Sequence, residues 1–550
     1  MKMKRNLSQI LKISAVALVG FVGVAAVNTD HGKYFEISKN IEIFTNLYKE
    51  INTYYVDDID PARLMRTGVD AMLESLDPYT NYISESEIEG FRYITEGKYN
   101  GIGARMSKVG DYVTITESFE GCPAQKAGLK VGDVVISIDG KSAKGKTTDD
   151  VSDILKGFPG TEVAMTVQRP GTKKPLKITM LREEVKVPNV PFSGMVSDKV
   201  GYVSLSTFTR NAGKNVGDAL KKLKAAHPEM EGVIFDLRGN GGGLLTEAVN
   251  VSNVFIPKGE MVVTTKGKVA DWDRSFKTLN KPVDQEIPLV VLIDKGSASA
   301  SEIVSGVLQD LDRGVLIGQR SYGKGLVQNT RDVGYNSRVK LTTAKYYIPS
   351  GRCIQGVKYK DGAPLDIPDN ERTPFKTRNG RTVMDGGGVK PDMALEKMTD
   401  LSVIKNLVKK RLIFDYVTQY TLTHPTIPAV KDFTFTDFNG FLQFLEEKNY
   451  HYETDSERLL ESLKTKSTEE KYFTNIKSEL AAIENKILSE KKNDLTKYKS
   501  TIVDLIEKDI ASRYYYQKGK IQVALKNDQE IKEAISVLGD DSKYNSFLKK

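Results

Sequence analysis

Histidine and cysteine are both scarce in this chain of 550 residues, which contains four histidines and two cysteines. Cys122 and Cys353 are too few for a disulfide framework or for the usual thiolate zinc site. No histidine occurs between His227 and His424, so this long stretch has no imidazole to act as a general base or metal ligand. Hydrolytic chemistry within that stretch would need another base.

The chain also lacks a strong excess of one charge. Its formal net charge is +8 over 550 residues, which is too dilute to indicate a nucleic acid as the main partner, and we expect none. Apolar residues make up 39% and charged residues 28% of the chain. This composition is ordinary for globular proteins and excludes a wholly disordered chain. The length predicts three or four domains.

Only one long hydrophobic run is present, and it lies at the N-terminus. Lys2, Lys4 and Arg5 precede an apolar stretch over residues 13–27, about 15 residues where a membrane-spanning helix needs about 20. This layout predicts a signal peptide or an uncleaved anchor within residues 1–30. We therefore expect export to the periplasm or cell envelope, with membrane contact only through this segment if it is uncleaved. The alternative, a buried core helix, is rare behind three cations at an N-terminus.

Three regions with different patterns follow the predicted leader. Apolar residues at helical spacing predict a helical region over 38–90, whose second helix ends at the turn Asp77-Pro78-Tyr79-Thr80. Short alternating strands and glycine turns over 93–184 predict a small β domain. Strands alternate with helices over 187–396, which predicts an α/β domain with crossover connections. We expect residues 38–90 to pack on that domain.

The last region, residues 401–550, contains 3 of the 45 glycines and 2 of the 19 prolines of the chain. Ile and Leu recur there at three- and four-residue steps, as over 476–487 and 502–510. The lack of turn-forming residues together with this spacing predicts long amphipathic helices. We expect these helices to fold, to form a homodimer or to dock an adaptor, and we find no catalytic pattern among them.

A glycine-flanked loop, Gly101-Ile102-Gly103, opens the β region, and a helix carrying Val151 and Leu155 follows later. Backbone N–H groups of such a loop can bind a chain-terminal carboxylate, while the attached peptide adds as a strand to the sheet edge. Ile102, Val151 and Leu155 would line the pocket for the last side chain of that peptide. With the glycine-rich element over 132–140, the pattern resembles a PDZ domain. The alternative is a small barrel whose edge binds nothing.

Two predicted buried strands in the α/β region run into turns that precede helices. Residues 232–237 lead into the glycine turn 238–243, and residues 288–293 lead into the small-residue run 294–302. Glycines at a strand-to-helix turn let backbone N–H groups face a ligand at the helix N-terminus. A phosphate site is the rival interpretation, but the Gly-Lys-Ser/Thr ending of nucleotide-binding loops is missing.

Ser299, in the second turn, would have helix N–H groups ready to stabilise an oxyanion, but a serine nucleophile needs a base. Lys324 lies between two glycines after a predicted buried strand, an unusual position for a solvated surface charge. Burial would lower the pKa of its amine, and Ser–Lys is a known variant of the serine triad. Gln328 is placed to orient that amine. The alternative is that Ser299 and Glu302 only form a helix capping box, worth about 1 kcal/mol.

These motifs, taken together, resemble the carboxy-terminal processing proteases (tail-specific proteases), serine peptidases of the S41 family. The resemblance covers residues 44–392, and its motifs lie at 236–243, 296–303, 318–328, 349–356 and 388–392. It implies a multidomain α/β protein whose protease core is similar to the crotonase-like fold, with an inserted PDZ domain between an N-terminal and a C-terminal helical region. Residues after Leu401 lie outside the resemblance, so it implies no role for them.

The resemblance also assigns roles by position. It implies Ser299 as the nucleophile, Lys324 as the base and Gln328 as the residue that supports the base. The oxyanion donors would be the N–H of Ala300 and one N–H of the glycine turn, which we assign to Gly242. It implies neither a metal nor a cofactor.

The sequence therefore predicts an exported serine endopeptidase that binds the C-terminal tails of proteins and cleaves peptide bonds with a Ser–Lys dyad. In some members of the family an arginine of the PDZ domain meets the supporting glutamine when substrate docks, and we assign that part to Arg169. The rival is a PDZ-bearing envelope scaffold or export factor that binds tails without cutting. An acyl-CoA enzyme on a crotonase-like fold is disfavoured by the leader and by the peptide-binding module.

Overall fold

A computed structural model describes residues 34–360, 363–395 and 401–549. The chain divides into two compact units, Met1–Ser75 and Leu76–Lys550. The predicted leader over residues 1–30 lies outside the described residues. Within the described ranges, no helix combines the length and the apolar character needed to cross a bilayer.

The described part of the first unit, residues 34–75, contains two helices, α1 over residues 34–54 and α2 at Pro61–Glu74. The Asp60 carboxylate begins α2 by accepting the backbone N–H of Ala62 at 2.9 Å and of Arg63 at 3.2 Å. Proline suits the first helical position because no carbonyl is available there for an N–H. Both helices coincide with the apolar spacing of the sequence.

Residues 76–90, which the sequence assigned to the N-terminal helical region, belong instead to the second unit. The turn at 77–80 leads into strand β1 (Asn81–Ile83), which pairs antiparallel with β18 (Ser337–Tyr347). Helix α3 (Ile88–Glu96) follows. The predicted helical region 38–90 therefore contains one strand that the sequence did not indicate, because the partner of β1 lies far along the chain and leaves no local pattern.

The β region forms one antiparallel sheet beside two short helices. Its strands are β3 (Ala104–Val109), β4 (Tyr112–Ser118), β5 (Val134–Ile138), β6 (Lys141–Ser142), β7 (Glu162–Gln168) and β8 (Leu176–Leu181). The order is β3-β4-β5-β7-β8, with β6 paired to β5. Helices α4 (Pro123–Lys126) and α5 (Thr148–Leu155) complete the region, and α5 packs beside β3 at the edge of the sheet. Strands β2 (Lys98–Gly101) and β9 (Glu183–Lys186) pair where the chain enters and leaves.

A six-stranded sheet forms the centre of the α/β region. In spatial order its strands are β10 (Ser193–Met195), β11 (Val200–Ser204), β12 (Gly232–Asp236), β15 (Leu289–Ile293), β16 (Val315–Gly318) and β23 (Met393–Ala394). Strand β10 is antiparallel to its neighbour and the other pairs are parallel. Helices α6 (Ala212–Ala226), α7 (Leu245–Phe255) and α8 (Ala300–Asp310) cover one face, where Val233 and Phe235 are fully buried.

The other face of this sheet is covered by the end of the chain. Helices α16 (Gln529–Leu538) and α17 (Asp541–Leu548) place Ile531 and Leu538 against Ile234, the residue of β12 that points away from α6–α8. A mostly parallel sheet needs cover on both faces. The last helices therefore complete the core of the α/β region, although the sequence placed them in a separate helical region.

A second, antiparallel sheet flanks the first. It joins β1 and β18 to β13 (Met261–Gly267), β14 (Arg274–Lys277) and β17 (Leu326–Gly334). Two small ladders follow, formed by β19 (Val357–Lys360), β20 (Ala363–Asp366), β21 (Pro374–Lys376) and β22 (Thr382–Met384).

Seven further helices precede α16. They are α9 (Ser402–Lys409), α10 (Leu412–Thr423), α11 (Phe438–Glu447), α12 (Asp455–Glu469), α13 (Phe473–Lys491), α14 (Asp494–Lys497) and α15 (Lys499–Asn527). Their core combines aliphatic side chains with packed aromatic rings, and the centroids of the Tyr416 and Phe441 rings lie 5.1 Å apart. The helices expected over 476–487 and 502–510 lie in α13 and α15. Helix α15 bends at Tyr516, where φ is 54° and ψ is −153°.

Candidate active site

The two predicted turns follow neighbouring parallel strands of the six-stranded sheet. β12 leads into the glycine turn 238–243, β15 leads into residues 294–299, and Val233 of one strand pairs with Leu289 of the other. Ligands of α/β sheets bind in the crevice outside the carboxyl ends of such strands. The strand pairing therefore brings both turns to the same edge.

Hydrogen bonds fasten the two turns together. The Ser297 hydroxyl donates to the Leu237 carbonyl at 2.8 Å. The Asn240 carbonyl accepts the Ala298 N–H at 3.0 Å and the Ser301 hydroxyl at 2.8 Å. Because these donors flank Ser299 on both sides, the position of Ser299 depends on the shape of the glycine turn.

Ser299 lies just before α8 in an unusual backbone conformation, with φ 56° and ψ −112°. A conformation of this kind costs about 1–3 kcal/mol for a residue with a Cβ, and such strain clusters at functional sites. Helix α8 begins at the next residue, Ala300. The Ala300 N–H therefore has no carbonyl partner within the helix.

Glu302 connects this turn to the loop that carries Lys324. Its fully buried carboxylate accepts the Ser299 N–H at 2.8 Å, the Ser321 hydroxyl at 2.6 Å, the Gly323 N–H at 2.6 Å and the Lys324 N–H at 2.9 Å. Burial raises the pKa of Glu302 to about 6, although these four donors favour the charged form and oppose the rise. The capping-box interaction with Ser299 is present, but the same carboxylate also positions the lysine loop.

A second bridge between the two loops is Tyr346, which sequence reasoning missed. Its buried hydroxyl lies 2.6 Å from the Lys324 carbonyl and 3.1 Å from the Ser299 carbonyl. No sequence motif marks this tyrosine, because it lies on β18. The capping-box spacing of Ser299 and Glu302 in the sequence predicted a role for Glu302 at the start of the helix. It did not indicate that Glu302 also contacts the loop that carries Lys324.

The Lys324 amine rests on an aromatic ring. Its Nζ lies 4.4 Å from the centroid of the Tyr79 ring, in the turn at 77–80. Burial, helped by the nearby Lys340 ammonium, lowers the pKa of Lys324 from 10.5 to about 8, while Asp77 and Glu302 act in the opposite direction. Among the described residues, no hydrogen bond joins this amine to the Ser299 hydroxyl.

Gln328 is held by a chain of hydroxyl groups that begins at the same turn. Its side-chain amide donates to Thr342 Oγ1 at 3.2 Å, and the Thr342 N–H donates to Thr80 Oγ1 at 3.1 Å. The Thr80 hydroxyl donates to the Asp77 carboxylate at 3.1 Å. The turn at 77–80 therefore holds both the predicted base and the predicted supporting glutamine.

One cleft of about 410 Å³ contains all the predicted catalytic and oxyanion residues. Its lining includes Ser299, Ala300, Lys324, Gln328 and Gly242. The structure thus brings together residues from two turns and a β-hairpin that are up to 86 positions apart in the sequence.

Gly242 packs directly against the predicted nucleophile. A Cβ added there would lie 2.9 Å from the Ser299 Cβ and 3.0 Å from the Ala300 nitrogen. The Gly242 N–H, however, donates to Asn240 Oδ1 at 2.9 Å. The turn itself already uses the N–H that we assigned to the oxyanion site, and the flanking Gly241 and Gly243 line the same cleft.

In the PDZ-like region, Gly101, Ile102 and Gly103 lead from β2 into the edge strand β3. Gly103 has φ +78°, and a Cβ there would lie 2.3 Å from the Cys122 Cβ, so this position requires glycine. Ile102, Val151 and Leu155 are all buried in one cluster. The predicted pocket residues are thus in contact, beside a sheet edge that has no strand on its other side among the described residues.

Arg169 and Gln328 have different hydrogen-bond partners and line different cavities. Its guanidinium donates to the Asp133 carboxylate at 2.8 and 2.7 Å and to the Gly128 carbonyl at 2.7 Å. It lines a different cavity, of about 530 Å³, together with Thr418 and Leu422 of α10. The structure therefore places the predicted sensor between the PDZ-like region and the helical region.

Three sequence-family profiles match parts of this chain. The profile of peptidase family S41 matches residues 199–363, a PDZ domain profile matches 114–169, and a profile described as the C-terminal helical domain of a probable PDZ-protease matches 403–538. Each predicted module after the leader and N-terminal helices thus has its own match.

Proteins of Bartonella bacilliformis and Staphylococcus aureus are among those similar to this chain. A carboxy-terminal-processing protease of Bartonella bacilliformis is 35% identical over 364 residues, which span 66% of this chain and 81% of that protein. A probable CtpA-like serine protease of Staphylococcus aureus is 35% identical over 333 residues, or 60% of this chain and 65% of that protein. A solved photosystem II D1 C-terminal processing protease is 26% identical, with a TM-score of 0.36 over 64% of this chain and 92% of that one.

Proposed function

This chain belongs to the carboxy-terminal-processing proteases of peptidase family S41, and from that premise we propose that Ser299 is its nucleophile and Lys324 the base. The chain is a serine-type endopeptidase with a PDZ domain. The observation that carries the proposal is the Glu302 carboxylate, which accepts the backbone N–H groups of both Ser299 and Lys324. This bridge holds the two residues in the wall of one cleft.

The chemistry begins with a neutral lysine. The Lys324 amine takes the proton of the Ser299 hydroxyl while Oγ attacks the carbonyl carbon of a peptide bond. The resulting oxyanion collapses, the C–N bond breaks, and the Lys324 ammonium returns the proton to the leaving amine. Water then attacks the acyl-enzyme by the same route and releases the new C-terminus.

The environment of Lys324 makes the neutral form available. Lowering its pKa from 10.5 to about 8 raises the neutral fraction at pH 7 from roughly 1 in 3,000 to roughly 1 in 10. In the observed arrangement the amine contacts the Tyr79 ring and, among the described residues, makes no hydrogen bond to the Ser299 hydroxyl, so it must come closer to Oγ before it can take the proton. We therefore assign the observed arrangement to the resting enzyme, in which the turn at 77–80 holds both Lys324 and Gln328 until substrate enters.

The oxyanion would be bound at the start of α8. The Ala300 N–H lacks an intrahelical partner and the positive end of the helix dipole lies there. The Gly242 N–H already donates to the Asn240 side chain. The second hydrogen bond to the oxyanion would therefore come from the N–H of Gly241 or Gly243, which line the same cleft. One such donor is worth about 2.7–4 kcal/mol of barrier.

Substrate tails would bind at the PDZ domain. Strand β3 lies at the edge of its sheet with α5 beside it, which is the arrangement that lets a peptide add as a further strand. The carboxylate of the tail would meet backbone N–H groups near Gly101 and Gly103. Arg169 would act as a sensor only after leaving Asp133.

The dyad is tested with Ser299→Ala, Lys324→Ala and the control Lys258→Ala, which removes an exposed lysine of the same domain. On an unfolded protein such as casein, both dyad variants should lose more than about 100-fold in rate while the control keeps wild-type activity. Mass spectrometry of the products gives the rates and the cut sites. A Lys324→Ala enzyme that digests at the wild-type rate would show that the base is another group.

We also propose that the enzyme is exported. The support is the basic start and the apolar run over 13–27. Fractionation of expressing cells with sequencing of the mature N-terminus tests this, and an intact N-terminus in the cytosolic fraction would contradict it.

A further inference from the structure

Arg238, the first residue of the glycine turn, is surrounded by three carboxylates. The carboxylate of Asp236, two residues earlier on β12, accepts from Arg238 Nε at 3.0 Å and from Arg238 Nη2 at 2.6 Å. The other two belong to the end of the chain: Nη1 donates to Asp528 at 2.7 Å and also to Glu530. The turn beside Ser299 is thus held by residues 290 and 292 positions later in the sequence.

This contact is buried. The side chains of Arg238, Asp528 and Glu530 are 15%, 18% and 7% exposed. Asp528 also begins α16, since its carboxylate accepts the N–H of Glu530 at 2.9 Å. The helix that follows packs on Ile234 of β12 through Ile531. Both the charges and the apolar face of α16 therefore contact the strand that carries the turn.

A short series of hydrogen bonds connects the glycine turn to the residues around Ser299. Next to Arg238, the Gly239 N–H donates to the Asp294 carboxylate at 2.8 Å. Then the Asn240 carbonyl accepts the Ala298 N–H, and the Asn240 side chain accepts the Gly242 N–H at 2.9 Å. A change in the orientation of Arg238 would move the donors around Ser299, and misplacement by about 1 Å costs about 100-fold in rate.

We propose that Asp528 and Glu530 are positioning residues of the protease, which fix the glycine turn through Arg238 in the arrangement that stabilises the oxyanion. The C-terminal helices are then part of the machinery for the chemical step and not only an attachment for partners. This inference rests on the proposed role of Ser299 and of the turn.

The test uses substitutions that preserve the fold. Asp528→Asn keeps a good helix cap, Glu530→Gln keeps the shape, and Glu533→Gln changes a carboxylate on the same helix that pairs with Lys543. We expect Asp528→Asn and Glu530→Gln each to lower kcat about tenfold on a short peptide, with KM within about twofold, since a full 1 Å misplacement of the reacting groups costs about 100-fold and these substitutions should cause a smaller one. Glu533→Gln should keep wild-type kcat.

A structural role alone predicts a different pattern. If Asp528 and Glu530 only stabilise the fold, the substitutions would lower Tm but would not change kcat per folded molecule, with the folded fraction measured by circular dichroism. That result would overturn the inference. A peptide boronate, which forms a tetrahedral adduct with a serine nucleophile, should bind the variants more weakly by the same factor as kcat. In an Arg238→Gln background, Glu530→Gln should add less than about twofold, because the partner is already lost.

The two hypotheses fail separately. If Ser299→Ala remains active, the proposed function is wrong. If Ser299→Ala is inactive while Asp528→Asn and Glu530→Gln both keep wild-type kcat, only the positioning role is wrong.

Discussion

At Lys324, the proposed base, burial and neighbouring charges together set the pKa of a single amine. Burial disfavours its ammonium form, the Lys340 ammonium adds to this effect, and Asp77 and Glu302 limit it. The Tyr79 ring, 4.4 Å from Nζ, attracts the charged form. With a pKa of about 8, the amine is charged in most molecules at neutral pH and neutral in roughly one in ten.

The pH dependence of activity follows from that environment. Because only the neutral amine accepts a proton, kcat/KM should rise with pH and level off above about 8. Lys340→Met removes a charge that lowers the pKa of Lys324, so the rising limb should move to higher pH and activity at pH 7 should fall. Lys345→Met, an exposed lysine on the same strand, serves as the control. A rate that stays constant between pH 6 and 9 would contradict the lysine base.

At the scale of elements, the candidate site lies where the carboxyl ends of β12 and β15 approach the hairpin of β17 and β18. The buried runs that became β12 and β15 were readable from sequence, as was the helix that begins at Ala300. The links between elements were not: Glu302 reaches Ser321 and Gly323 through side-chain geometry, and β1 pairs with β18 across most of the second unit. Local periodicity carries no information on such pairs, so the prediction of a helical region over 38–90 did not include β1.

The glycine turn gives a sharp test at this scale. An alanine Cβ at Gly242 would lie 2.8 Å from the Ala298 carbonyl oxygen and 2.9 Å from the Ser299 Cβ, whereas one at Gly239 would meet nothing within 4 Å. Both glycines have positive φ, 68° at Gly239 and 99° at Gly242, so both substitutions carry backbone strain of about 1 kcal/mol or more, and the greater strain is at Gly242. Gly242→Ala should therefore lower kcat at least about 100-fold, while Gly239→Ala mainly lowers Tm. Equal kcat for the two folded variants would contradict close packing at Ser299.

Across the whole molecule, the protease core is assembled from distant parts of the sequence. Helices α6–α8 cover one face of its sheet, and α16 and α17 from the end of the chain cover the other. Helix α10 contacts the PDZ domain, where Thr418 lies against Gly132 and Leu422 against Gly171. The helical region thus touches both the domain proposed to bind tails and the strand that carries the glycine turn.

The proposed division of labour between PDZ domain and cleft predicts a dependence on the substrate's free carboxylate. A tail held at β3 raises the local concentration of the adjoining segment at Ser299, an effect that reaches 10²–10⁴-fold in tethered systems. A protein substrate with an amidated C-terminus should therefore be cut at least about tenfold more slowly than the same protein with a free acid, chiefly through a higher KM. A short peptide that spans only the cleft should be cut equally fast in both forms. Equal rates for the two forms of the full substrate would remove tail recognition from the mechanism and leave the dyad untouched.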